Sequence, residues 1–231
     1  MPTDTKTTAL TEISLPAARL ATAAAAVALL LLAALHILSP EFDPSWRMVS
    51  EYANGQYAWV LSLMFAFWAV SSWALVFVFR SQLRTLVGKI GLVFLVAAGV
   101  GQAMGSVFDI NHPLHDLAGV IGIVNLPIAA MLISVSLVRT QAWSVASKPL
   151  LWTANLTWIS VLLLVATFII MIVTYTQSGA PLPTEVPTTL PPGVVGLVGW
   201  ANRLMIVVDC AWVMTVARQA IRLRGQNHGS V

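Results

Sequence analysis

The carboxylates and imidazoles of this chain fall into short stretches separated by long apolar runs. His36 closes the first run, and Phe42-Asp43-Pro44-Ser45-Trp46-Arg47-Met48-Val49-Ser50-Glu51-Tyr52 leads into the second. Asp109, His112, His115 and Asp116 stand together between the third and fourth runs, and Asn202, Arg203 and Asp209 lie in the last. Several chemistries fit these residue types. Asp109, His112 and His115 follow a D-x-x-H-x-x-H spacing whose oxygen and nitrogen donors suit zinc, with His36 as a fourth ligand, although Pro113 disturbs helical geometry there. Glu51 and Asp209 are candidates for general base and general acid, provided their environments set their proton affinities apart. Arg203 offers a donor fork to an anionic group, with Asn202, His115 and Asp116 as further substrate-binding candidates. A purely structural alternative has Arg203 pairing with Glu51 or Asp116, pinning the last helix to the loops, and Asp209 hydrogen-bonded to a neighbouring helix.

Helical geometry orders these groups. A helix beginning near His112 puts His112 and Asp116 on one face at i,i+4, with His115 beside them. Asn202 and Asp209, seven residues apart, are nearly eclipsed, and Arg203 is turned away from them by about 100°. Asp209 lies about 10 Å deeper than Asn202, inside the apolar zone, where a neutral, proton-donating acid is expected unless a cation sits beside it.

The elements that position these groups are membrane spans. Of the 231 residues, 58% are hydrophobic and 9% charged, against roughly 25% charged in soluble domains. Lipid must therefore be the solvent for most of the apolar surface. Six apolar segments, at about 17–38, 57–79, 90–108, 117–138, 151–174 and 194–217, predict an all-α bundle of six transmembrane helices forming one domain over residues 1–231. The first segment exceeds the roughly 7–15 residue core of a signal peptide and reads as a retained helix. Cys210, the single cysteine, excludes an internal disulfide, and a net charge of +3 gives no reason to expect nucleic acid.

Basic residues set the orientation. Lys6, Arg19, Arg80, Arg84, Lys89, Arg139, Lys148, Arg218, Arg222 and Arg224 would share one side, leaving Arg47 in an opposite loop and Arg203 within the sixth span. Among the acids only Asp4 and Glu12 join the basic side. Both termini are thus expected in the cytoplasm of a cell-membrane protein, with the polar constellation at the outer face. The loop at 175–193 carries Pro181, Pro183, Pro187, Pro191 and Pro192 and should be an extended connector. Gly101 and Gly105 form a small-xxx-small pair for close helix approach, and Pro127 should bend the fourth helix. Trp46, Trp59 and Trp200 read as an outer aromatic belt and Trp143 and Trp152 as an inner one, while Trp68, Trp73, Trp158 and Trp212 lie deeper. His228 falls in the basic tail and reads as solvated. No internal repeat is evident, so an inverted-repeat transporter gains no support.

Phe42-Asp43-Pro44, Ser50-Glu51-Tyr52 with Gly55, Phe108-Asp109 with His112, His115-Asp116-Leu117 and Gly199-Trp200-Ala201-Asn202-Arg203-Leu204 occur in an order that resembles the membrane family called domain of unknown function 998. The resemblance runs from about residue 20 to 222 and implies a six-helix membrane protein of the bacterial and archaeal type, with candidate residues but no reaction. Arg47-Met48-Val49 stands where that family carries an Asp or Thr ahead of Ile-Ser-Glu. Gly119 stands where a second histidine often follows His115, and Asn202 replaces a Glu or Gln before the arginine.

Three functions are compatible with these residues. The first is a module that binds a lipid or apolar small molecule in a polar pocket at the outer face. The second is an acid–base or zinc-assisted membrane enzyme acting on a lipid or isoprenoid, such as a hydrolase or a terpene cyclase. A proton-coupled transporter, the third, lacks the polar stripe it would need towards the cytoplasmic side.

Overall fold

The computed structural model describes residues 13–181 and 188–228, with side chains described as far as 226. Lys6, Asp4, Glu12, Pro183, Pro187 and the side chain of His228 lie outside the described residues. Six α-helices make up the described chain, with two short 3-10 helices. They are α1 (Leu15–Leu38), α2 (Ala58–Phe79), α3 (Leu86–Val107), α4 (His115–Val138), α5 (Ser147–Gln177) and α6 (Val198–His228). The 3-10 helices are Val49–Asn54, before α2, and Gln141–Ala146, before α5. The shortest α-helices have 22 residues, or about 33 Å at 1.5 Å per residue, enough for a hydrocarbon core of about 30 Å. All six are long and apolar enough to cross a membrane.

Each helix starts where local chemistry favours it. Ser14 caps α1, with Pro16 in the first turn, and the Thr85 hydroxyl accepts from the Gly88 N–H at the start of α3. Consecutive helices pack on one another and α6 returns against α1, closing the bundle. The Arg224 guanidinium donates to the Ile13 carbonyl, so the start of α1 and the end of α6 share one face of the bundle, the terminal face. The other face carries the segments at 39–57, 108–114, 178–181 and 188–197 and is called the loop face below.

Several expectations need correcting. α4 begins at His115, not near His112, because residues 109–114 form successive turns: His112 N–H donates to Asp109 O, and His115 N–H to His112 O, both at 2.9 Å. His112 and Asp116 therefore do not share a helical face. Trp46 and Trp143 are not belt residues. Trp46 is buried under the Arg47 guanidinium, 4.3 Å from its ring centre, and Trp143 is buried edge-on to Phe79. Trp59, Trp152 and Trp200 are exposed as expected. Gly101 and Gly105 serve two different neighbours. A Cβ at Gly101 would lie 2.3 Å from the Gly122 nitrogen of α4, whereas one at Gly105 would meet Phe65 of α2 at 3.3 Å.

One helix is deeply buried over only half of its length. From Val165 to Gln177, the half of α5 near the loop face has no buried residue. Near the other face α5 is anchored by buried Leu150, Ala154, Thr157, Ser160 and Leu164.

Candidate functional site

The segment that enters α2 is locked to the start of α6. Gly199 lets the two backbones approach, since a Cβ there would sit 2.5 Å from the Pro44 carbonyl and 2.6 Å from that of Arg47. Gly199 N–H donates to Ser45 O at 2.9 Å, and Asn202 Oδ1 accepts from Val49 N–H at 2.9 Å. Arg203, 4% exposed, completes the clamp. Its Nε donates to His36 Nε2 at 2.7 Å, Nη1 to the carbonyls of Arg47 (2.7 Å) and Gly199 (2.9 Å), and Nη2 to the Tyr52 hydroxyl (3.1 Å). His36 must be the neutral tautomer with its proton on Nδ1. That nitrogen faces the Leu32 carbonyl at 2.7 Å, which can only accept, and Nε2 receives the arginine.

Arg203 thus pairs with neither Glu51 nor Asp116, contrary to the structural expectation. Arg47 Nη1 donates to Glu51 Oε2 at 2.6 Å, and Glu51 Oε1 accepts from Met48 N–H at 2.8 Å. Both oxygens of the candidate general base are engaged. The turn ahead of them is set by Asp43, whose carboxyl accepts from the Ser45 N–H (2.9 Å) and hydroxyl (2.7 Å). Those two bonds, the backbone one first, hold the Asp43 carboxyl below its ordinary value, with a smaller pull from the Arg203 charge.

The zinc candidates are not brought together. His36 is committed to Leu32 and Arg203. Asp109 Oδ1 accepts from Asn111 N–H at 2.9 Å in a local turn, and His112 stacks on Phe108 while its Nδ1 accepts from Leu114 N–H at 3.2 Å. Among the described residues no three His, Cys, Asp or Glu side chains are grouped so as to hold a metal ion. The turns at 109–114 hold Asp109 and His112 against their own backbone, and Arg203 takes His36, so the four expected ligands do not converge.

His115 and Asp116 take part in a different arrangement. Together with Asn202 they line a cavity of about 420 Å³ between α2, α3, α4 and α6, within the roughly 300–1,000 Å³ typical of small-molecule sites. Its walls are mostly apolar: Met48, Val49, Phe65 and Trp68 on one side, Ile123, Met205 and Ile206 on the others. Glycines account for much of the space. Gly101, Gly105, Gly119 and Gly122 all line it, and a Cβ at Gly119 would meet no atom within 4 Å.

A buried polar network completes the α2–α3 wall. With the Gln102 oxygen facing Trp68 Nε1 at 3.1 Å, the Gln102 nitrogen donates to Ser72 Oγ (2.8 Å) and Trp68 O (3.2 Å). In that orientation every one of these groups has a partner. Sequence reasoning passed over this network. Gln102, a lone amide in an apolar span, was the available signal.

Asp209 is also buried, and neither of its oxygens has a hydrogen-bond partner. It follows Asn202, Met205 and Ile206 on one face of α6, about 4.5 Å below Ile206, and is not among the lining residues. Trp212, one turn further on, donates to Ser134 Oγ of α4 at 3.1 Å.

The six apolar spans define an integral membrane protein, and its loop-face clamp is built on the Gly199-to-Arg203 stretch. The chain belongs to the family described as Protein of unknown function (DUF998), whose model matches residues 22–219. No curated protein and no solved structure matches it.

Proposed function

We propose that the protein binds an amphiphilic small molecule drawn from the bilayer, its apolar part in the cavity and its polar end at the loop face. The cavity between Trp68 and Gly119 carries this reading, because apolar walls with polar groups at one end match such a ligand. The α4 edge of the cavity is the route from the bilayer: Val120 lines the cavity and is exposed, as is Leu117 beside it. Arg203, cast from sequence as an anion anchor, is spent on the clamp and holds the cavity wall in place.

Phenylalanine at Gly119 plugs the space with little strain, since a Cβ there meets nothing. Mass spectrometry of small molecules retained through purification should find an amphiphile with the unsubstituted protein and its loss from Gly119→Phe. Equal retention by a folded Gly119→Phe variant overturns the proposal.

The loop face belongs on the outer side of a cell membrane, with both termini cytoplasmic. Arg19, Arg80, Arg84, Lys89, Arg139, Lys148, Arg218 and Arg222 all lie towards the terminal face, as the bias for cytoplasmic basic residues requires. Cysteines placed singly at His112 and Arg84 in a Cys210→Ala background should label from outside and inside respectively. Labelling of both from one compartment contradicts the orientation.

A further inference from the structure

We infer that the ligand's polar end is a hydrogen-bond-donating cation, a primary ammonium, and that Asp116 with His115 selects it over a carboxylate or phosphate. This rests on the cavity reading above and concerns only the headgroup. The polar atoms on the cavity wall fall into two kinds. Gln102 is tied to Trp68 and Ser72, while Asn202, its oxygen spent on Val49 N–H, and the Ser50 hydroxyl offer only neutral donors. His115 Nδ1 lies 3.0 Å from the Phe108 carbonyl, so that nitrogen is the donor and the neutral ring keeps Nε2 as an acceptor. Asp116 is exposed, lines the cavity and has no hydrogen bond or ion pair with any described residue. The uncommitted charged group at the site is therefore an acceptor, and a second acceptor sits next to it in sequence.

Charge around the opening points the same way. Glu41, Asp43, Asp109 and Asp116 are exposed on the loop face, and among the described residues of that face no lysine or arginine is. Arg47 and Arg203, the two cations there, are buried at 7% and 4% exposure and bound to their own loop. An anionic head would meet carboxylates with no accessible cation in compensation, and like charges at short range oppose binding. The partial positive charge at the start of α4 does not reverse this. It amounts to about half an elementary charge, and Asp116 in the first turn already answers it. Three protons of an ammonium suit the carboxylate and the imidazole nitrogen together, and bonds between ionised partners are about twice as strong as neutral ones.

The test is competition in nanodiscs of neutral lipid, with radiolabelled dodecanol as probe and unlabelled dodecylamine or dodecanoate as competitor. Dodecylamine should displace the probe at about one tenth of the dodecanoate concentration or less. Asp116→Asn should abolish that preference, read as the ratio of the two displacing concentrations. Equal or better competition by dodecanoate, or a preference that survives Asp116→Asn, overturns the headgroup assignment and leaves the cavity reading standing. Absence of saturable dodecanol binding, or saturable binding unchanged in Gly119→Phe, instead overturns the cavity reading beneath it.

Discussion

Arg203 and Asp209 lie six residues apart on α6, and their surroundings are opposite. Arg203 is surrounded by acceptors, all of them neutral: an imidazole nitrogen, two carbonyls and a phenol. Asp209 has no donor for either oxygen. Buried polar atoms left unpaired cost about 1–3 kcal/mol, so Asp209→Leu should raise stability by about that amount in a thermal-unfolding assay in detergent. A loss of stability of similar size would mean that the carboxyl has a partner. The sequence marked both residues as exceptional, because ionisable groups inside a span are costly. It did not reveal Arg203's acceptors, three of which, the His36 ring, the Arg47 carbonyl and the Tyr52 hydroxyl, only folding brings within reach. Pairing by opposite charge was the natural inference. It failed because Arg47, four residues before Glu51, takes that carboxylate locally.

At the scale of helices, glycine spacing decides where the bundle closes and where it stays open. Gly101 and Gly122 bring α3 and α4 into backbone contact, so Gly101→Val should destabilise the pair by more than about 2 kcal/mol through overpacking. Gly119, one turn before Gly122, faces no neighbour, and Gly119→Ala should leave stability unchanged or raise it by up to about 1 kcal/mol through helix propensity. Thermal unfolding of the two variants side by side checks the contrast; equal losses would mean that α4 packs tightly along its whole length. The six spans were legible in the residue string because long apolar runs have few other uses. Their ends were less so. α5 and α6 each extend to 31 residues, because polar residues such as Ser147, Lys148 and Arg222 continue a helix beyond the apolar run that announces it. The Gly101–Gly105 spacing promised one close interface, and the fold divided it between α4 and Phe65 of α2.

For the whole molecule, the two ends of the bundle do different jobs. The terminal face gathers the basic residues and the packed half of α5, whereas the clamp on Arg203 and the mostly apolar cavity lie towards the loop face. Segregation of charge between those faces could be read from residue order alone. The cavity could not, since it is bounded by four helices whose arrangement no local pattern encodes. An electron cryomicroscopy map of the protein in nanodiscs of its native lipid bears most directly on the account. The predicted result is elongated density between Trp68 and Gly119 that ends beside Asp116. A map in which α5 or side chains of α4 and α6 fill that space, with density continuous only with protein, would contradict it.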